Sequence, residues 1–94
     1  MQPISIGRVV QFRLPARHEG DERWRPATAV NVFPDTEGNM ANLTVMLDGL
    51  NDAREASDVE LLNSVGTLYT HALLSVGSSH EGAKPGEWRW PPRV

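Results

Sequence analysis

The chain contains no cysteine. That absence excludes a disulfide framework and any thiolate metal site, the usual supports of a small secreted domain. Long apolar runs are missing, as is a basic, apolar-cored leader at the N-terminus, so neither a membrane span nor a signal peptide is expected. Positive charge is scarce: nine Lys and Arg against twelve Asp and Glu leave a net charge of −3. Such a balance argues against general attraction to nucleic acid or to an anionic membrane. The expected setting is the cytoplasm of a bacterial host, or a virion. Aromatics are few, with three Trp, two Phe and one Tyr to anchor a core drawn from 94 residues. A chain of that length forms one domain, here residues 1–94, and buries only about 60–65% of its unfolded surface.

Catalytic signatures are absent too. None of Ser5, Ser57, Ser64, Ser75, Ser78 or Ser79 sits in a G-x-S-x-G or S-x-x-K pattern, and no glycine-rich phosphate loop occurs. His18, His71 and His80 lack metal-ligand spacing and read as solvated or locally bonded. Asp48, Asp52, Glu55, Asp58 and Glu60 crowd one segment, but the EF-hand spacing is missing, and a solvated turn is expected there. The sequence therefore reads as non-enzymatic, with no cofactor and no metal.

What is present is alternation. In "RVVQFRL", Val10, Phe12 and Leu14 share one face, and Val9, Gln11 and Arg13 share the other. "WRPATAVNVF" and "ANLTVMLDG" flank the turn-rich "PDTEGNM" and predict a hairpin; Leu43, Val45 and Leu47 form the inner face of its second strand. The expected strands cover residues 8–14, 26–33, 42–48, 67–76 and 87–90. Loops are expected at 16–23, 34–40, 49–66 and 77–86, with the first and last mobile and outside the core. Ser57 and Glu60 before Leu61 and Leu62 match a capping box, with Gly66 as a stop, so 57–65 is the one place for a helical turn. This pattern predicts an all-β domain: a small five-stranded antiparallel SH3-like barrel with at most one short helical turn.

The tail "GEWRWPPRV" places Trp88 and Trp90 on one face of a strand and Arg89 on the other. Two indoles there would close one end of the barrel, with Arg89 in solvent. Arginine and tryptophan also interleave in "ERWRP". Trp24, Arg25, Arg89 and Arg93 are therefore the candidate binding surface, since bases stack on indoles while arginines hold phosphates. Core tryptophans flanked by solvated arginines are the simpler reading of the same residues.

The blocks Phe12-Arg13-Leu14, Arg25-Pro26-Ala27, Asn42-Leu43, Val45, Leu47-Asp48-Gly49 and Trp88-Arg89-Trp90-Pro91 carry a resemblance. With them the chain resembles a group of small proteins of tailed bacteriophages and prophages. The resemblance implies a phage origin and a compact β fold, and carries over no activity and no functional residues. The function expected is that of a phage or prophage accessory or virion-associated protein that binds a phage or host protein. A nucleic-acid-binding barrel is the second reading, and a small hydrolase or carbohydrate-binding module the third.

Overall fold

The alternation in the first strand becomes a buried face. In β1 (Val9–Arg13), Val10 and Phe12 point inward, and Leu14 follows them into the core. The computed structural model describes residues 2–34, 37–68, 70 and 72–92. Within them, β1 pairs with β2 (Trp24–Val32), β2 with β3 (Ala41–Met46), β3 with β5 (Leu73–Ser79), β5 with β4 (Thr67–Leu68), and β1 with β6 (Trp88–Arg89). All five pairings are antiparallel and give one six-stranded sheet of order β4-β5-β3-β2-β1-β6. The fold is mostly β. The sheet is open, with β4 and β6 as its end strands, although β6 also touches the segment after β5 through a parallel bridge between Glu81 and Trp88.

Six strands replace the expected five because the stretch 67–76 folds back on itself. Leu68 lies opposite Leu74, and Thr67 opposite Ser75. Even spacing of apolar residues is satisfied equally by one strand or by two arms of a hairpin, and no Gly, Pro or Asn marks the reversal. Tyr69 and His71, expected within that strand, lie outside the described residues. The 34–40 hairpin turn is where expected, with Gly38 and Asn39 both at positive φ and the Phe33 N–H bonded to the Met40 carbonyl at 3.1 Å. Asn39 tolerates that backbone and uses its side chain as a tie. Its Oδ1 accepts the Ile4 N–H, and its Nδ2 donates to the Gln2 carbonyl and to Glu81.

In β2 the inward residues are Ala27 and Ala29, and a register shift between Ala29 and Asn31 leaves Val30 exposed. A strand with one extra residue bends and twists there. The expected loop at 77–86 is partly sheet: residues 77–79 belong to β5, and the Ser79 hydroxyl is buried and donates to the Gly86 carbonyl at 2.9 Å. Residues 80–82 then bond to β6, the Trp88 N–H reaching the His80 carbonyl and the Gly82 N–H the Trp88 carbonyl. The 16–23 loop is also tied down. Asp21 accepts the Arg17 N–H at 2.9 Å, and the Leu14 N–H bonds to the Arg23 carbonyl.

The 49–66 segment is more helical than expected. It forms α1 (Gly49–Asp52) and α2 (Ala56–Asn63), which send Ala53 and Leu62 into the core. The helix starts earlier than the Ser57–Glu60 reading: Asp58 reaches back to accept the N–H groups of Arg54 and Glu55, both at 3.1 Å. Asp58→Ala is therefore expected to cost about 1 kcal/mol in urea unfolding and Ser57→Ala close to nothing. The reverse order would restore the Ser57 box. Gly66 follows the last turn of α2, and a Cβ there would collide with the Ser75 carbonyl. Among the described residues no helix is long and apolar enough to cross a membrane.

Candidate binding surface

The helical segment sends Ala53 and Leu62 to the core on the inner side of the sheet, and the residues that alternate with the core positions form an outer face of half-buried and exposed side chains. Antiparallel register lays out this outer face in rows. Val9, Thr28, Thr44, Ser75 and Thr67 cross the sheet from β1 to β4. The next row sets Arg89 opposite Gln11 and Gln11 opposite Pro26, while Met46 faces Leu73 on the far strands. A third pairing puts Arg13 opposite Trp24. Val9, Met46 and Leu73 stay 52%, 44% and 38% exposed.

Trp24 and Arg89 meet on this face. The Arg89 guanidinium lies 3.8 Å from the centre of the Trp24 ring, and its Nε donates to Gln11 Oε1 at 2.8 Å. Such stacking is worth about 0.5–1 kcal/mol at an exposed site. Arg89 therefore does not swing free in solvent, contrary to expectation. The other side of the indole is anchored as well: its Nε1–H donates to Glu22 at 2.9 Å. That bond, with the Arg13 charge and, less strongly, that of Arg89, holds the Glu22 carboxyl below its ordinary value against the opposing effect of burial.

Arg25 belongs elsewhere. It stands opposite Phe12, on the inner face, and reaches the buried Asp52 with two hydrogen bonds, Nε to Oδ2 at 2.7 Å and Nη2 to Oδ1 at 2.8 Å. Arg23 adds a third at 2.9 Å, and the Asp48 N–H a fourth at 2.6 Å. The acidic segment is thus not a solvated turn: Asp52 is 1% exposed and Asp58 is buried as a helix cap. Burial opposes ionisation of Asp52, but the Arg25 hydrogen bond, the Asp48 amide and the charge of Arg25 outweigh it and hold the carboxyl below its ordinary range. Arg93 lies outside the described residues.

The terminal tryptophans face the core, as expected from their spacing. Trp88 is fully buried and donates Nε1–H to the Asn39 carbonyl at 3.1 Å; Trp90 is half-buried and meets it edge-on, with centroids 5.2 Å apart. Arg8 lies 5.2 Å over the Trp90 ring.

The four residues expected to form one surface are thus divided, Trp24 and Arg89 outward and Arg25 inward. Gln11, Arg13 and Glu22 complete the outer cluster. Gln11 and Arg13 were readable as one face of the first strand, but their proximity to Trp24 and Arg89 depends on register, which no local motif states.

A concavity of about 560 Å³ lies beside the start of α2, bordered by Arg17, His18, Arg54 and Ser57. Two of its charged groups are already engaged: Arg17 bonds to Asp21 and to the Asn51 carbonyl, and Asp58 occupies amides at the helix start. Among the described residues no group of three His, Asp or Glu converges as metal ligands would. Comparison with protein-family models, with curated proteins and with solved structures finds no match.

Proposed function

We propose that this chain is a non-enzymatic binding domain of phage or prophage origin, an accessory or virion-associated protein that docks a protein partner on the outer face of its sheet. Its fold is best described as an SH3-like barrel left open at one seam. The Glu81–Trp88 bridge supports that description, since it brings the segment after β5 against the end strand β6. The observation that carries the binding reading is the outer face itself, where Val9, Met46 and Leu73 are exposed on the same side of the sheet as the anchored Trp24–Arg89 pair. Aromatic residues and arginine fixed in one conformation are the side chains that contribute most to protein interfaces, because little entropy remains to be lost on docking.

The nucleic-acid reading draws on the same pair. Against it, one face of the Trp24 ring is already covered by Arg89, and Glu22 sits at the indole N–H. Base stacking needs an open ring face and a cationic track for several phosphates.

The test is capture from phage-infected cells with the wild-type chain and with Met46→Lys. Met46 is exposed, so the substitution should leave the melting temperature unchanged. A phage or host protein held by the wild type and lost by Met46→Lys is the expected result. Capture indifferent to the substitution, or capture of nucleic acid alone, would count against the proposal.

A further inference from the structure

Five arginines on or beside the first two strands and the last fall into two sets. Arg17 and Arg23 lie against Asp21, and Arg23 and Arg25 against Asp52, so each of these three is held in an ion pair within the fold. Arg13 and Arg89 form no ion pair among the described residues. Yet both are held in place. Arg89 is stacked on Trp24 and bonded through Nε to Gln11, which leaves both of its terminal amino groups without a hydrogen-bond partner among the described residues. Arg13 is pinned by one amino group, Nη1 to the Ala83 carbonyl at 2.6 Å, and its other amino group is likewise unpartnered.

These side chains sit on neighbouring strands. Gln11 and Arg13 are two residues apart on the outer face of β1, with Arg89 opposite the first and Trp24 opposite the second. Glu22, bonded to the indole, senses both cations. Two guanidinium groups are thus held on one face: Arg89 keeps both amino groups unpartnered, and Arg13, whose Nε is buried, keeps one.

The geometry points to a recognition site for the carboxylate side chains of an acidic protein segment, built by Arg13 and Arg89 on the platform of Trp24. Arg89 retains its Nη1–Nη2 edge, two parallel N–H groups that match the two oxygens of a carboxylate, and Arg13 adds its second amino group as a further donor. Immobilisation of Arg89 by the ring and by Gln11 removes most of the ordering cost before the partner arrives. Pro26, exposed opposite Gln11, gives an apolar contact alongside. A nucleic acid fits the same cations less well. A chain of net charge −3 repels a long polyanion, and the nearby Glu22 repels a phosphate track more than it does one short acidic segment. The inference rests on the protein-binding reading and narrows it to the chemistry of the partner.

The experiment titrates the isotope-labelled chain with three probes, a hexaglutamate peptide, a hexalysine peptide and dT15, at low and at physiological salt. Hexaglutamate should shift the Trp24 indole N–H and Arg89 Nε–H signals, with a Kd of about 1 mM or tighter at low salt and weaker binding as salt rises. Arg13→Gln and Arg89→Gln should each weaken this binding about fivefold or more, with the rest of the spectrum unchanged. Arg89→Lys, which keeps the charge and loses the fork, should weaken it too. No shift with hexaglutamate, equal shifts with hexalysine, or affinity unchanged in the variants would overturn the inference. Stronger binding of dT15 at the same signals would overturn it in favour of the nucleic-acid reading. Partner capture that is lost in Met46→Lys but kept in Arg89→Gln would retain the docking face and discard the acidic partner.

Discussion

Trp88→Ala is expected to remove about 3–5 kcal/mol from the unfolding free energy measured in urea. The indole is fully enclosed and sits opposite Phe12 on the neighbouring strand. It also ties distant parts of the chain together, since its Nε1–H bonds to the Asn39 carbonyl while its backbone joins β6 to His80. A small domain is stable by only about 5–15 kcal/mol in total, so this loss is a large share and brings the variant close to unfolding at 37 °C. Trp90→Ala should cost less, about 2 kcal/mol, because Trp90 is half-buried under Arg8 and surrenders less apolar area. Trp88→Phe separates the two contributions of the buried ring: it keeps most of the apolar bulk and strands the Asn39 carbonyl, for a cost of about 1–3 kcal/mol. Equal losses for Trp88→Ala and Trp90→Ala would contradict this ranking.

Asp52→Asn is the second large effect, expected to destabilise by about 3–5 kcal/mol at neutral pH. One carboxylate holds Arg23 and Arg25 and accepts the Asp48 N–H, so neutralising it leaves Arg25 without its counter-charge beside the core and takes from Arg23 one of its two carboxylates, Asp21 being the other. The pH dependence follows from the direction of its shift. The folded-state value is depressed, so the stabilisation is complete above the unfolded value of about 4. It is lost as pH falls through the folded value. Wild type and Asp52→Asn should therefore differ most at neutral pH and converge below about pH 4. Urea unfolding of both proteins at neutral pH and near pH 3 checks this. A gap that stays constant down to the acid end would show that Asp52 is not ionised in the folded state.

How far the fold could be read from the chain depends on the range of each interaction. Alternation reports which face a residue occupies, and so Val10, Phe12, Leu43, Val45 and Trp88 were legible as core. The 34–40 turn was legible because glycine and asparagine at positive φ are local chemistry. The division of 67–76 into β4 and β5 was not, because two arms of a hairpin keep the same alternation as one strand. The register shift in β2 was not legible for a related reason: one extra residue changes the phase and leaves Val30 exposed, and nothing in "ATAVNV" shows where. Asp52 looked like one acid in a polar turn. Its burial depends on Arg23 and Arg25, which are 29 and 27 residues away. The same limit governs the candidate surface. Arg25 neighbours Trp24 in the chain and faces the opposite way, whereas Arg13 and Arg89 reach Trp24 only through strand register. Adjacency in sequence proposed the cluster, and pairing between strands redrew it.

The central claim is that the tryptophans divide between the two faces, Trp88 and Trp90 inward to hold the domain together and Trp24 outward as a platform for binding. Hydrogen exchange of the three indole N–H groups, followed by NMR in one sample, tests it directly. The Trp88 Nε1–H, enclosed and bonded to the Asn39 carbonyl, should exchange most slowly and only through global opening. The Trp24 Nε1–H, bonded to the solvent-facing Glu22, should exchange fastest, and faster again once Glu22 is changed to Gln. Protection of Trp24 equal to that of Trp88, or rapid exchange at Trp88, would contradict the account.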